Sequence, residues 1–335
     1  MAPLRPLLLL LSSAAAVRAQ WDTLCTAATG GPYRAWNETR CPSSRATCCG
    51  SGFNPSGVGC CALPGATCCG DNAGGTGGYA CCPAGTVCSV VSGAGTYGAV
   101  YNCTAPSGAN TGLAISVCKG GPPLPMSATK KNVLWIGDSL SLGMIPHVAA
   151  NLSDIALVQH APWGGDGGAE ETAYGLYCLD YFLHSPSGMD IKPDLILFNW
   201  GMHDGPMSND TTPGQNAPPT NYGAELAALT AQLKARAAAY GAKLAFAHTT
   251  PFICTAAQDG CVQNLNNQAD AIMAAAGVPV LKTYEAVIAH CGPAPQASCF
   301  GQNGCWCPHC TDAGYVWLAG TVVAPSLRAM LTAAD

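Results

Sequence analysis

A serine follows the first buried apolar run in the C-terminal two thirds of the chain. Residues 133–136 are apolar and lead directly into the sequence Gly-Asp-Ser-Leu at 137–140. A serine at a strand-to-helix turn can be exposed as a nucleophile, and the dipole of the following helix favours negative charge nearby. The Gly-x-Ser-x-Gly turn of α/β-hydrolases is absent, because position 141 is serine. The alternative interpretation is that Ser139 only caps a helix.

Short apolar runs alternate with longer helical patterns from residue 131 onward. The runs lack polar alternation and are predicted to be strands buried on both faces, at 132–136, 155–158, 195–199, 243–247 and 278–281. Helices are predicted at 140–152, 170–183, 222–240, 265–275 and 313–331. This alternation predicts a three-layer α/β/α sandwich with a parallel five-stranded sheet. Reactive side chains of such sheets collect at the carboxyl ends of the strands, where Ser139 is expected.

The Gly-Asp-Ser-Leu sequence at the first strand resembles block one of the GDSL/SGNH hydrolases, a flavodoxin-like family. The resemblance covers residues 132–335. It implies that Ser139 is the nucleophile and that its backbone N–H helps to bind the oxyanion. A glycine after the second strand should supply another N–H. Gly168, nearest the helix start in the glycine-rich stretch 163–168, is the first choice, and Gly165 is the second.

Block three of the family is normally Gly-x-Asn-Asp, whereas this chain has Gly-Met-His-Asp at 201–204. The resemblance implies that His203 replaces the asparagine amide, because an imidazole N–H can donate to an oxyanion in the same way. Alternatively, His203 is a structural histidine bonded to Asp204. Asn199 is either a substitute amide or a structural residue at the strand end.

Block five is normally Asp-x-x-His followed by a helix. His309 precedes a Gly-Tyr pair and the predicted final helix, as in the family, so the resemblance implies that His309 is the base. Trp306 stands where the family has aspartate. A backbone carbonyl can orient the histidine in family members that use a Ser-His dyad, and Asp312 can approach only if the loop bends. The orienting group is left unassigned, and Asp138 and Asp204 are further supporting candidates.

The first 19 residues are typical of a secretory signal peptide, with Arg5, a leucine run at 7–11 and small residues before the expected cleavage site at Gln20. The run is too short to span a bilayer, and no other stretch is long enough, so we expect no transmembrane anchor. The 21 cysteines fit an oxidising compartment. We therefore expect a secreted, extracellular protein. Four sequons would then be accessible to glycosylation: Asn37, Asn102, Asn151 and Asn209.

Residues 20–104 contain twelve cysteines among mostly small residues. Such a segment cannot bury a useful core, so disulfides must stabilise it. Its four vicinal pairs, at 48–49, 60–61, 68–69 and 81–82, resemble the granulin module, which implies a ladder of short hairpins. Its function is either to bind an extracellular ligand or to serve as a protease-resistant spacer. Residues 105–130, rich in Gly, Pro and Ser, are predicted to be a linker, and 131–335 the hydrolase domain.

Nine cysteines lie outside the module, so at least one thiol should stay free or pair between chains, unless the module itself has an unpaired cysteine. Local disulfides are predicted for Cys254 with Cys261 and for Cys291 with Cys299. The cluster 305–310 contains three cysteines and His309, which raises the alternative of a zinc site. Four ligands from six consecutive residues are hard to wrap tetrahedrally, and an oxidising compartment favours disulfides. We expect no metal and no organic cofactor.

The chain carries a net charge of −5 with 10% charged residues and shows no basic stripe. Nucleic acid and anionic membranes are therefore not expected partners. The sequence predicts a secreted serine esterase that hydrolyses carboxylic esters through an acyl-enzyme. The substrate would be a small-molecule or polysaccharide ester, with acylated glycans favoured by the polar loop 206–219. The alternatives are a lipid esterase, or a non-catalytic binding protein with a degenerate hydrolase domain, because His203 and Trp306 depart from the family.

Overall fold

The computed structural model describes residues 23–26, 38–41, 47–51, 57–69, 80–92, 100–119, 126–162, 168–183, 192–205, 221–252, 255–292, 299 and 308–333. Several sequence predictions fall outside these residues: the signal peptide at 1–19, Gly165, the polar loop 206–219, Trp306, and the sequons at Asn37 and Asn209.

Short antiparallel strands make up the described N-terminal part. Their bounds are β1 (Thr23–Thr26), β2 (Glu38–Cys41), β3 (Thr47–Ser51), β4 (Gly57–Cys61), β5 (Thr67–Cys69), β6 (Ala80–Cys82), β7 (Val87–Ser92), β8 (Val100–Thr104), β9 (Asn110–Leu113), β10 (Ile115–Ser116) and β11 (Cys118–Lys119). They form the small sheets β1-β2, β10-β6-β5, β11-β4-β3 and β7-β8-β9. Disulfides that span 19 to 21 residues connect successive hairpins: Cys49–Cys68, Cys61–Cys81, Cys69–Cys88 and Cys82–Cys103. The predicted disulfide-rich module is confirmed, and its likeness to granulin stays a prediction.

The predicted linker at 105–130 is corrected over part of its length. Residues 110–119 form β9, β10 and β11, which pair with β8, β6 and β4 of the module. Val117 is 3% exposed and packs in a small cluster with the cystine sulfurs, which explains why this stretch does not remain a free tether. Beyond it, a disulfide joins Cys118 to Cys178, and the Tyr174 hydroxyl donates to the Val117 carbonyl at 3.3 Å. The segment therefore fastens the module to the second half of the chain.

A parallel five-stranded sheet organises the second half. Its strands are β12 (Lys131–Ile136), β13 (Ala156–Ala161), β14 (Leu195–Phe198), β15 (Lys243–Ala247) and β16 (Val280–Leu281), in the order β13-β12-β14-β15-β16. The helices are α1 (Ser139–Asn151), α2 (Thr172–Phe182), α3 (Tyr222–Tyr240), α4 (Ala256–Ala276), α5 (Thr283–Cys291), α6 (Asp312–Leu318) and α7 (Ala324–Thr332). A π-helical turn, Ala319–Val323, joins α6 to α7. In the described part of the chain, no helix is both long and apolar enough to cross a membrane.

Both faces of the sheet are buried, which confirms the predicted three-layer α/β/α sandwich. Along β12, Leu134 and Ile136 belong to the core shared with α2 and α3. Val133 and Trp135 point to the opposite core, which α1 and α7 cover. Side chains alternate between the faces of a strand, so a strand covered on both sides needs an unbroken apolar run. This is why β12 lacks the polar alternation of a half-exposed strand.

Candidate active site

Ser139 and His309 meet at the carboxyl end of the sheet. His309 Nε2 lies 2.8 Å from Ser139 Oγ. Ser139 is the first residue of α1, two residues beyond the turn glycine that follows β12, and His309 lies just before α6. Both residues are half-buried, so the pair is held by its surroundings and still reaches the surface. This distance is the one that a nucleophile and its general base require.

Asp138, and not Ser139, caps α1. Its Oδ1 accepts a hydrogen bond from the Leu140 N–H at 3.0 Å. The carboxylate satisfies an N–H that would otherwise lack a partner at the helix start, and this leaves the Ser139 hydroxyl to face His309. The interpretation of Ser139 as a simple helix cap is therefore not supported. Asp138 acts as a supporting residue of the turn.

The turn between β12 and α1 has no room for a side chain at position 137. A Cβ placed on Gly137 would lie 2.0 Å from Asn199 Oδ1 and 2.4 Å from Ser141 Oγ. The glycine is required because two buried polar side chains occupy this space. The Gly-Asp of the Gly-Asp-Ser-Leu sequence therefore has two separate structural roles, close packing and helix capping.

Burial raises the pKa of Asp138, whose side chain is fully enclosed. The nearby His203 imidazole and the Leu140 N–H act in the opposite direction, because both stabilise the carboxylate. Asp138 and His203 are thus electrostatic neighbours behind the Ser139 turn. The segment 201–204 therefore lies beside the turn that carries Ser139.

Asn199 is structural rather than a substitute oxyanion donor. Its Oδ1 accepts a hydrogen bond from the Trp135 indole N–H at 3.0 Å, and its backbone N–H donates to the Ile136 carbonyl. Its side chain also lowers the pKa of Asp138. Asn199 therefore ties the end of β14 to β12 inside the protein.

Gly168 rests directly on the Ser139 turn. A Cβ at this position would lie 2.4 Å from the Gly137 carbonyl oxygen and 2.8 Å from Asp138 Cα, and its φ is +57°. The next residue, Ala169, donates its N–H to the Gly137 carbonyl at 2.8 Å. Position 168 thus needs glycine both for its conformation and for this close approach. The backbone at 168–169 therefore lies against the turn that carries Ser139.

Asp204 holds the start of α2. Its Oδ1 accepts hydrogen bonds from both the N–H and the hydroxyl of Thr172, the first residue of that helix. The Thr172 hydroxyl also lies 2.8 Å from Glu225 Oε2 on α3. Asp204 therefore supports the site by fixing α2, whose first turn follows Gly168.

Asp312 contacts His147 rather than His309, which corrects its proposed role as a supporting group of the base. Asp312 Oδ1 lies 2.9 Å from His147 Nε2 on α1. Thr311 caps α6, and Asp312 is the first helical residue, so its side chain projects from the helix start toward α1. Its carboxylate is 84% exposed, unlike the enclosed acids of catalytic triads.

Tyr315, the tyrosine of the Gly-Tyr pair after His309, has a packing role that the sequence reasoning did not assign. A Cβ on Gly143 would lie 2.3 Å from Tyr315 Cζ, so the tyrosine ring packs against α1 where the helix lacks a side chain. Burial raises the pKa of Tyr315, and the nearby Asp138 adds to the effect. This contact holds α6, and with it the His309 loop, against the helix that begins at Ser139. A glycine inside the predicted α1 was the available signal.

The cysteines near the site follow the predictions only in part. The Cys291–Cys299 disulfide is confirmed. The predicted Cys254–Cys261 disulfide is wrong, because Cys261 is a free thiol. Cys310, next to His309, is also a free thiol, and burial raises its pKa to about 11, which keeps it protonated at neutral pH. The other cysteines of the zinc alternative, at 305 and 307, lie outside the described residues.

Among the described residues, three groups have metal-type ligand atoms close together, and two of these groups contain disulfide cysteines. The third contains none. His248, Asp270 and Glu285 have ligand atoms within 4.8 Å of one another. Lys282 Nζ lies 2.6 Å from Asp270 Oδ1 and 3.6 Å from Glu285 Oε1. An ammonium group therefore already provides the positive charge that these two carboxylates attract.

No protein-family model and no curated protein matches the chain. Among solved structures, it is similar to a lipase/acylhydrolase from Enterococcus faecalis, with 14% identity, a TM-score of 0.42, and 60% of this chain and 96% of that one covered. It is also similar to a GDSL-like lipase from Bacteroides thetaiotaomicron, with 15% identity, a TM-score of 0.42, and coverage of 62% and 92%. The acetyl xylan esterase AlAXEase shares 14% identity, with a TM-score of 0.42 and coverage of 56% and 96%.

Proposed function

We propose that this chain is a serine esterase that hydrolyses carboxylic ester bonds, with Ser139 as nucleophile and His309 as base. The observation that carries the proposal is the 2.8 Å contact between His309 Nε2 and Ser139 Oγ. Its position at the carboxyl end of a parallel sheet supports it further, because active sites of such folds lie there. The capping of α1 by Asp138 adds support, since it leaves the Ser139 hydroxyl without a capping role.

The proposed reaction has two stages. His309 Nε2 takes the Ser139 proton while Oγ attacks the ester carbonyl, and the tetrahedral intermediate then collapses to an acyl-enzyme. The imidazolium returns its proton to the departing alcohol. Water, deprotonated by the same imidazole, attacks the acyl group and regenerates Ser139. No metal or organic cofactor takes part in this scheme.

The oxyanion in this proposal is held by the N–H groups of Ser139 and Gly168 and by the imidazole of His203. Ser139 opens α1, so its N–H belongs to the positive end of the helix dipole. Gly168 approaches the same turn closely, and His203 lies near Asp138. Loss of one such donor typically slows a reaction by about 100-fold to 1000-fold.

Acylated glycans, either small molecules or polysaccharides, are the proposed substrates, and the protein is proposed to act outside the cell. The support comes from the sequence: a predicted leader at 1–19, many cysteines, and a polar stretch at 206–219 that follows the block-three segment. The disulfide-rich module is proposed to bind an extracellular ligand, which would bring the esterase to its substrate.

Labelling with a fluorophosphonate probe tests the proposed nucleophile. We expect wild-type protein to be labelled and both Ser139→Ala and His309→Ala to lose labelling while they keep the wild-type melting temperature. Ser153→Ala is the matched control, because Ser153 is an exposed serine on the turn after α1. A folded wild-type protein that resists the probe would contradict the esterase proposal and favour a non-catalytic binding protein.

The substrate proposal needs a separate measurement. Wild-type protein that reacts with the probe and the Ser139→Ala variant would each be incubated with acetylated oligosaccharides, short-chain triglycerides and phospholipid vesicles. We expect acetate release from the oligosaccharides that depends on Ser139. Release of fatty acid from the lipids that is faster than acetate release from the oligosaccharides would contradict the proposed glycan substrate and favour a lipid esterase.

A further inference from the structure

A second serine–histidine contact lies directly behind the first. Ser141 Oγ is 2.6 Å from His160 Nε2, and both side chains are completely buried. Neither residue can meet a substrate, so this pair is not a second nucleophile and base. Its position suggests a different role, because Ser141 is two residues after Ser139.

The pair connects two neighbouring strand ends. Ser141 Oγ lies 2.7 Å from the Asp138 carbonyl oxygen, inside the turn that carries the nucleophile. His160 Nδ1 lies 2.8 Å from the Pro162 carbonyl oxygen, at the start of the segment that follows β13. The strands are paired here, with Trp135 opposite His160. A continuous set of polar contacts thus runs from the Ser139 turn to the segment leading to Gly168.

The contacts constrain the hydrogen atoms. Burial lowers the pKa of His160 to about 4, so the imidazole is neutral at pH 7 and carries one N–H. A carbonyl can only accept, so the N–H belongs on Nδ1, where it donates to the Pro162 carbonyl. Nε2 is then an acceptor, and the Ser141 hydroxyl is the donor that reaches it. The Asp138 backbone carbonyl is a second acceptor for the same hydroxyl hydrogen, so Ser141 shares that hydrogen between the carbonyl oxygen and His160 Nε2.

The segment after Pro162 ends at Gly168, which rests on Gly137 and Asp138. The turn that carries Ser139 is therefore contacted at two places from the β13 side, by His160 of β13 through Ser141 and by Gly168 against Gly137 and Asp138. We infer that Ser141 and His160 are positioning residues, which set Ser139 and Gly168 at the distance that oxyanion binding requires. This inference rests on the proposed function, and the experiment distinguishes failure of the inference from failure of the proposed function.

The experiment compares three variants with one control. Ser141→Ala removes the hydroxyl, His160→Phe keeps the ring volume without its nitrogens, and His160→Gln restores a polar group that can reach Ser141. Thr230→Val is the matched control, since Thr230 is a buried hydroxyl that donates to Leu226 within α3. The fluorophosphonate labelling rate, the melting temperature and amide hydrogen exchange over 137–142 and 168–172 would be measured for each.

We expect Ser141→Ala and His160→Phe to slow labelling by about 10-fold to 100-fold, because small misplacements of reacting groups cost this much. His160→Gln should recover part of the loss. Exchange should become faster in both segments, and Thr230→Val should label at the wild-type rate even if it melts earlier. Labelling of Ser141→Ala and His160→Phe within about twofold of wild type would overturn the inference. So would an equal slowing in Thr230→Val, because the effect would then follow stability alone.

Failure of the esterase proposal would leave a distinct result. If folded wild-type protein is not labelled, the proposed function fails, and hydrogen exchange alone decides the positioning inference. Faster exchange at 168–172 in both Ser141→Ala and His160→Phe, with none in Thr230→Val, would support the physical link between the two segments. Unchanged exchange at 168–172 would overturn it.

Discussion

The buried His160 should make folding stability fall as the pH falls from neutral. Its ordinary pKa is 6.5, and burial lowers the pKa to about 4 in the folded protein. The unfolded chain therefore binds a proton at a pH where the folded chain does not, and protonation favours unfolding. The contribution of neutral His160 is fully present above pH 6.5 and is lost as the pH falls toward 4.

The size of this effect follows from the difference between the two pKa values. A difference of about 2.5 pH units corresponds to about 3 kcal/mol, because each unit is worth about 1.4 kcal/mol. At pH 5 the unfolded state is already mostly protonated and the folded state is not, so about 2 kcal/mol should be lost between pH 7 and pH 5. The raised pKa of Asp138 acts in the opposite direction, because its folded-state carboxyl binds a proton more readily than in the unfolded chain, and the comparison with His160→Gln removes this shared contribution. The lowered pKa of Asp270 adds little in this window, because an aspartate in the unfolded chain stays mostly ionised down to about pH 5.

Denaturant titrations at pH 7, 6 and 5, with the disulfides kept intact, measure this loss. His160→Gln removes the titrating group, so its free energy of unfolding should change less with pH than that of the wild type, by about 2 kcal/mol over this range. Ser141→Ala keeps the buried imidazole and should retain most of the pH dependence. The reasoning would be refuted if wild type and His160→Gln showed parallel stability curves from pH 7 to pH 5.

Two further predictions concern the frame around the site. Gly143→Ala should slow fluorophosphonate labelling by about 10-fold or more, because its Cβ would lie 2.3 Å from the Tyr315 ring and must displace α6. Gly260→Ala is the control, because position 260 in α4 has open space for a Cβ, and this variant should be labelled at the wild-type rate and melt no earlier. Equal labelling rates of the two variants would contradict the positioning role of the Gly143–Tyr315 contact. The double variant Cys118→Ser/Cys178→Ser should lose about 2–4 kcal/mol of unfolding free energy in denaturant titrations, because the bond closes a 60-residue separation. An unchanged midpoint would contradict a stabilising role of this disulfide.

The sequence predicted the sheet well because the central strands β12 and β14 are buried on both faces and leave a clear apolar pattern. The predicted run at 155–158 ends before β13 does, because Gln159 and His160 are polar. The sequence predicted the Ser139–His309 contact only through the order of short motifs, since 170 residues separate the two side chains.

The Asp312 prediction failed for a local reason. Whether a carboxylate faces the loop or the neighbouring helix depends on where α6 begins, and sequence patterns place helix starts only to within a few residues.

Contacts between neighbouring strands were beyond sequence reasoning altogether. Ser141 and His160 become partners only because β12 and β13 are adjacent and in register, with Trp135 opposite His160.

The strands at 110–119 were missed for another reason. Their few apolar residues give a weak pattern, and they are ordered by pairing with module strands whose stability comes from disulfides rather than from a large core.

Three glycines at successive strand ends explain how the site is assembled. A Cβ on Gly137, Gly168 or Gly201 would lie 2.0, 2.4 or 2.7 Å from its nearest neighbour, respectively. These neighbours are Asn199 Oδ1 after β14, the Gly137 carbonyl oxygen after β12 and Thr249 Oγ1 after β15, respectively. The segments that follow β12, β13, β14 and β15 are therefore linked by close approaches that leave no room for a Cβ at these three positions. An oxyanion site built from backbone N–H groups needs this kind of approach, because those groups cannot extend toward the substrate as a side chain can. The carboxyl end of this sheet is therefore suited to present backbone donors around Ser139.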